Sequence, residues 1–208
     1  MTTTFTIQGA SGGQKTQPAK TDTLLLQETG GGSYKYGTLD DLGCFPLRYQ
    51  SVADSAAIAS TASETAFDKA FTVPANYFRA GMRIRVAASG EFSNTGTPAL
   101  TLRVRVGGVA GLLLASFDFT TTTQTSKQWS LLAEAVARTI GASGSFAPGF
   151  GTCYLYGSTP LGNRTSSLVT VDTTASKSLC VTAQWGASSA SNTIFARSVS
   201  IEIALPSS

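Results

Sequence analysis

The chain contains no histidine in 208 residues. That absence removes the commonest general base, the imidazole metal ligand and the usual near-neutral pH switch together. Charge is scarce as well: 13% of the residues are Asp, Glu, Lys or Arg, against about 25% in ordinary globular chains. The net charge of +3 comes from scattered residues with no run of adjacent Lys or Arg. The electrostatic footprint of a nucleic-acid binder is therefore missing. Cysteines number three, Cys44, Cys153 and Cys180, an odd count at wide spacing that fits no metal or redox motif and admits at most one bridge. Free, mostly buried thiols from a reducing cytoplasm are expected. No apolar run approaches the ~20 residues of a membrane span, and the start Met1-Thr-Thr-Thr-Phe5 lacks the pattern of a signal peptide. A protein made soluble in a cytoplasm and soluble until it is assembled, with neither nucleic acid nor membrane as partner, is the expectation.

What is present is Thr, Ser, Gly and Val, with 42% hydrophobic residues recurring at strand period. That composition favours short strands joined by turns, not disorder. Leu100, Leu102, Val104 and Val106 alternate with Thr101, Arg103 and Arg105, the pattern of a half-buried strand. Ile84 and Val86 alternate with Arg83 and Arg85, and Leu179, Val181, Ala183 and Trp185 share a face, as do Val199, Ile201, Ile203 and Leu205. Gly107-Gly108 predicts a two-residue hairpin turn. Segment 128–138 is the one conflict, because Gln128 to Arg138 consists of helix formers. Read as a strand it places Trp129, Leu131, Ala133, Ala135 and Ala137 on one face, and strand neighbours favour that reading. Several strands with turn clusters between them predict an all-β antiparallel sandwich.

Ahead of this region, residues 1–21 read as an extended arm that only Phe5 and Ile7 can anchor. Its Gly9-to-Thr16 stretch lacks the Gly-Lys step and the helix of a phosphate-binding loop. Residues 22–42 read as a small module: a strand from Leu24 to Glu28, a glycine reversal, a returning strand from Ser33 to Tyr36, and a helical turn from Thr38 to Leu42 capped by Thr38. The module is too small to be stable alone, so Leu24, Leu26, Tyr34, Tyr36, Leu39 and Leu42 are candidate partner-binding residues together with Phe5 and Ile7. Residues 43–63 connect the parts, as linker, short helix or edge strand, and 64–208 form the main domain.

The most informative stretch is Phe71-Thr-Val-Pro-Ala-Asn76, then Gly81 and a strand reaching Ser89-Gly90, with Thr97-Pro98 beyond. Pro74 belongs at a strand end, Asn76 supports a local turn, and Gly81 and Gly90 permit bends. With Thr182-Ala183-Gln184-Trp185 and Ala190-Ser-Asn-Thr-Ile194, this order resembles a recurrent jelly-roll module of bacteriophage capsid-decoration, head-fibre and tail proteins, over residues 64 to 205. Met82 stands where such proteins often carry Asp. Residues 22–42 resemble, more briefly, the attachment modules of phage fibre proteins. The resemblance implies a jelly-roll sandwich and a homotrimer on the virion surface. A capsid decoration or cement protein bound to the major capsid protein on the capsid exterior is the primary reading. A tail- or head-fibre protein contacting tail or fibre proteins and a host glycan is the alternative.

Candidate polar chemistry is thin. Arg83, Arg85, Arg103 and Arg105 would lie on one solvent-facing sheet surface if their strands are neighbours, either paired with nearby Glu91, Glu134 or Glu202 or docking onto an acidic partner surface or another protomer. Phe146, Phe150, Tyr154 and Tyr156, near Asn163 and Arg164, suit either a glycan or a trimer interface. No clustered acid–base set is visible for a hydrolase, so no catalytic, cofactor or metal residue is assigned.

Overall fold

A computed structural model describes residues 23–27, 34–38, 47–163, 165 and 167–204. The chain divides into two units, Met1–Pro46 and Leu47–Ser208. In the first, β1 (Thr23–Gln27) and β2 (Tyr34–Thr38) pair antiparallel. Thr38, expected to cap a helical turn, closes β2 opposite Thr23; residues 39–42 lie outside the described residues, as do Phe5 and Ile7.

Among its described residues, the second unit has only strands as regular elements. It runs through β3 (Leu47–Gln50), β4 (Ile58–Ala59), β5 (Thr65–Ala66), β6 (Phe71–Val73), β7 (Arg83–Asn94) and β8 (Ala99–Val106). It continues through β9 (Leu112–Thr120), β10 (Gln124–Thr139), β11 (Gly144–Leu155), β12 (Leu161–Gly162), β13 (Val169–Val171), β14 (Lys177–Trp185) and β15 (Thr193–Ala204). One sheet has the order β12-β11-β10-β7-β15-β3, with β13 also on β11 and β4 also on β15; the other has the order β5-β14-β8-β9, with β6 also on β14.

Take β3, β6, β7, β8, β9, β10, β14 and β15 as strands one to eight. The first sheet then reads one-eight-three-six and the second two-seven-four-five. That order is the double Greek key of a jelly roll. The expected fold class is therefore met by the strand pairing itself. Strands β11, β12 and β13 are an insertion between the sixth and seventh strands. Residues 47–63 are more than a linker, because β3 and β4 both pair with β15; the edge-strand alternative is the one realised.

Segment 128–138 forms a strand within β10, with Trp129, Leu131, Ala133, Ala135 and Ala137 buried on one face. Packing between the sheets outweighs the helix propensity of those alanines. The β8 and β9 hairpin is longer than a two-residue turn: residues 107–111 connect the strands, with Gly107 and Gly108 both at positive φ. In the Phe71–Gly81 stretch, β6 ends before Pro74, and Asn76 adopts a left-handed φ of 59° while its N–H donates to the Thr173 carbonyl at 2.9 Å. Gly81, at φ 85°, donates to the Ala137 carbonyl at 2.7 Å. The stretch thus carries the chain from one sheet to the other. Met82 is buried in the core. The core holds Trp129, Trp185, Phe67, Phe92, Phe117 and Phe146 as its largest fully buried side chains.

Candidate interaction surfaces

The four arginines do not share a face. Arg83 and Arg85 lie on β7 in the first sheet, Arg103 and Arg105 on β8 in the second. Alternation correctly pointed all four outward, but it carries no information on which sheet a strand joins.

On the second sheet, Arg103 and Arg105 converge on Glu64, a residue that local sequence does not single out. Arg105 donates to Glu64 through Nε at 2.5 Å and Nη2 at 2.8 Å; Arg103 donates through Nη1 at 3.1 Å and Thr182 through its hydroxyl at 2.6 Å. Arg103 also donates to the Gln184 side-chain oxygen at 2.8 Å. All three charged side chains are largely covered, at 14% exposure for Glu64, 18% for Arg103 and 17% for Arg105. Burial alone would push the Glu64 carboxyl up, but the hydrogen bonds from Arg105 and Thr182 and the two guanidinium charges bring it below its ordinary value. The cluster closes over β14, so Thr182 and Cys180 are buried on the outer side of a strand whose inner side is already core. A two-armed clamp of this kind fastens the segment before β5 to the sheet.

On the first sheet the outer face carries a ladder of alternating charge. Glu134 of β10 stands opposite Arg85 of β7, Arg85 opposite Glu202 of β15, and Glu202 opposite Arg48 of β3. Arg85 lies 3.6 Å from Glu134, Arg83 lies 4.0 Å from it, and Arg48 lies 3.2 Å from Glu202. Opposite charges at directly paired positions favour this register over a slipped one.

Further along the same face, β15 bulges. Ala196 pairs with Gly90 and Ser198 with Ser89, leaving Arg197 unpaired between them. The Phe195 carbonyl accepts a hydrogen bond from the Trp129 indole N–H at 3.1 Å, and a Cβ on Gly90 would overlap that oxygen. Gly90 is thus required by the close approach of the β15 backbone, a sharper role than the bend expected for it. Ser55 satisfies the bulge from the other side, its N–H donating to the Ala196 carbonyl at 2.7 Å and its hydroxyl accepting from the Ala196 N–H at 2.9 Å. Arg197 reaches outward to Glu91 at 2.6 Å and Asp54 at 3.3 Å. Beside it a cleft of about 190 Å³ is bounded by Ser89, Glu91, Gln128, Ser130 and Arg197 over the Gly90 backbone.

The aromatic group divides. Phe146 is core, edge-on to Phe78 with ring centroids 4.9 Å apart. Phe150, Tyr154 and Tyr156 are exposed, and the Lys127 ammonium lies 4.7 Å from the centre of the Tyr156 ring. The Asn163 amide, considered as a sugar ligand, is engaged within the fold. Its oxygen accepts from the Ser116 N–H at 3.2 Å and the Thr165 N–H at 3.0 Å, and its NH2 donates to the Thr165 carbonyl at 3.2 Å. Its own N–H donates to the Gly151 carbonyl at 2.9 Å. Asn163 therefore links the edge of β9 to β11 and closes that side of the sandwich. Arg164 lies outside the described residues.

In the N-terminal unit, Leu24 stands opposite Gly37 and Leu26 opposite Lys35, while Tyr36 stands opposite Leu25 and Tyr34 opposite Gln27. Leu39 and Leu42 lie outside the described residues. Among the described residues no group of His, Cys, Asp and Glu could hold a metal ion, and no helix is long and apolar enough to cross a membrane. Cys153 and Cys180 are free and buried; burial pushes their thiols up to about 12 and about 11.

No protein-family model and no curated protein matches the chain. Among solved structures it is similar to that of the infectious bursal disease virus Gt strain, at 12% identity and a TM-score of 0.33, covering 91% of this chain and 42% of that one. The Gx strain structure gives 11% identity and a TM-score of 0.25 over 89% of this chain and 48% of that one. The infectious bursal disease virus VP2 subviral particle gives 12% identity and a TM-score of 0.25 over 89% and 47%. The chain spans less than half the length of each. At such scores the jelly-roll assignment rests on strand order and not on these likenesses.

Proposed function

We propose that this chain is a structural virion protein without enzymatic activity, a capsid decoration or cement protein. It acts as a homotrimer on the capsid exterior, with the major capsid protein as its partner. The observation that carries the reading is the complete jelly-roll strand order between Leu47 and Ala204. The Phe71-to-Pro98 pattern of phage surface proteins lies within it, at its sheet-to-sheet crossing. A short two-stranded unit precedes it, in the place where an attachment module is expected. Cementing is linkage: a partner that binds only the assembled shell stabilises that state, by about 2.7 kcal/mol per site at a free concentration one hundred times Kd. Residues 1–42 supply the attachment, through Phe5, Ile7, Leu24, Leu26, Tyr34, Tyr36, Leu39 and Leu42. Arg83 and Arg85, each about half exposed beside Glu134, are the docking arginines of the sandwich; Arg103 and Arg105 are engaged by Glu64.

Sedimentation with purified shells tests this. Full-length protein should co-sediment and delay thermal disassembly of the particles, whereas a folded variant lacking residues 1–42 should remain in the supernatant. Labelled protein found on tails and not on heads in negative-stain images would overturn the capsid assignment. The second reading, a fibre protein contacting a host glycan, is favoured by the exposed Phe150, Tyr154 and Tyr156. A glycan array decides it: no binding by the trimer removes that reading.

A further inference from the structure

At the end of the sandwich where β7 turns into β8 and β14 turns towards β15, three buried polar atoms make no hydrogen bond to the described chain: Asn94 Oδ1, Asn192 Oδ1 and Trp185 Nε1. All three residues are essentially inaccessible, at 2%, 2% and 0% exposure. Their placement at one end follows from register. Thr193 pairs with Ser93, which puts Asn192 and Asn94 at the next step of the same ladder. Trp185 pairs with Leu100, at the start of the strand that follows the Asn94 turn, and the Gly186 N–H donates to the Ala99 carbonyl at 2.8 Å.

The orientation of both amides is fixed by their other partners. Asn94 Nδ2 donates to the Gly96 carbonyl at 3.2 Å and to the Thr121 hydroxyl at 3.1 Å, and that hydroxyl spends its own proton on the Pro98 carbonyl at 2.6 Å. Asn192 Nδ2 donates to the Ala187 carbonyl at 3.1 Å. Carbonyls only accept, so flipping either amide would set oxygen against oxygen. The site therefore presents two acceptors and one donor.

We propose that this end of the sandwich is a binding site for a single internal water molecule. It accepts from the Trp185 indole N–H and donates to Asn94 Oδ1 and Asn192 Oδ1. The chemistry selects water over an ion. An N–H directed into the site repels a cation, and two amide oxygens repel an anion. Water matches two acceptors and one donor at once, and three bonds is the usual complement of a buried water. The bridge joins the two turns to the core across both sheets, where no hydrogen bond runs directly between these three side chains.

Two tryptophans make the test internally controlled. In 15N-labelled full-length protein, the Trp185 indole N–H should give a water cross-peak whose sign reports a contact longer-lived than surface hydration. The Trp129 indole N–H, donated to the Phe195 carbonyl at 3.1 Å, should give none; Trp129→Phe or Trp185→Phe assigns the two signals. Absence of the Trp185 cross-peak, or equal intensity at both indoles, overturns the proposal. A crystal structure of the unaltered protein gives an independent reading. Density within hydrogen-bond distance of all three atoms is expected, and an indole turned directly onto either asparagine oxygen refutes it.

Discussion

Gly90→Ala is the sharpest perturbation the fold offers. The added methyl would overlap the Phe195 carbonyl oxygen and come within 2.9 Å of Ala196 Cα. Both obstacles are backbone, so no side chain can swing aside. The bulge in β15 must flatten or retreat, which withdraws the acceptor from the buried Trp129 N–H. Overpacking a well-filled site costs about 1–3 kcal/mol, and a buried donor left unmet costs a further about 1–3 kcal/mol. A loss of about 2–6 kcal/mol is expected, a fall in Tm of roughly 4–24 °C for a chain of this size. Urea titration and thermal melting followed by tryptophan fluorescence measure it. The cause is separable by a cycle with Trp129→Phe. If the cost flows partly through the indole bond, Gly90→Ala should be milder in the Trp129→Phe background by about 0.5–2 kcal/mol. A single-variant change within about 0.5 kcal/mol of the parent, the range of an ordinary surface substitution, would refute the close-approach argument.

Other consequences are also measurable. The Glu64 carboxyl sits below its ordinary value of 4.5, so its contribution is fully present above that value and is lost as pH falls through the folded one. Urea midpoints taken from pH 6 downward should therefore decline more steeply for the parent than for Glu64→Gln; parallel curves would contradict the clamp. Asn163→Ala should cost about 1–3 kcal/mol and speed hydrogen exchange at the Ser116 and Thr165 amides, and unchanged exchange there would show that β9 is held otherwise. Cys153 and Cys180, with thiols at about 12 and about 11, should resist alkylation at pH 8 in the native state and react after unfolding, as read by mass spectrometry of peptides.

What was legible in the sequence followed from alternation. Leu100 to Val106 and Trp129 to Ala137 place one face in the core, and a period of two is all that such a prediction needs. What escaped depends on partners far along the chain. Glu64 meets Arg103 and Arg105 across 39 and 41 positions, and nothing near residue 64 announces it. β7 and β8 are consecutive and similarly patterned, yet they lie in different sheets because the turn at Asn94 to Pro98 crosses the sandwich. Asn163 looked like a ligand donor because its residue type suits sugars; its amide is consumed by backbone. The small residues of 51–63 gave no period, since β4 spans only Ile58–Ala59.

The position of β15 bears on how the protein is made. Residues 193–204 lie between β7 and the two earliest strands of the sandwich, β3 and β4. Until they leave the ribosome, the first sheet lacks a middle strand and Leu47–Gln50 has nothing to pair with. Most strand partners are far apart in sequence, which makes folding slow and late. A nascent chain stopped before Thr193 holds an open sheet edge along β7, a template for aggregation. Closure of the first sheet thus waits on the synthesis of residues 193–204.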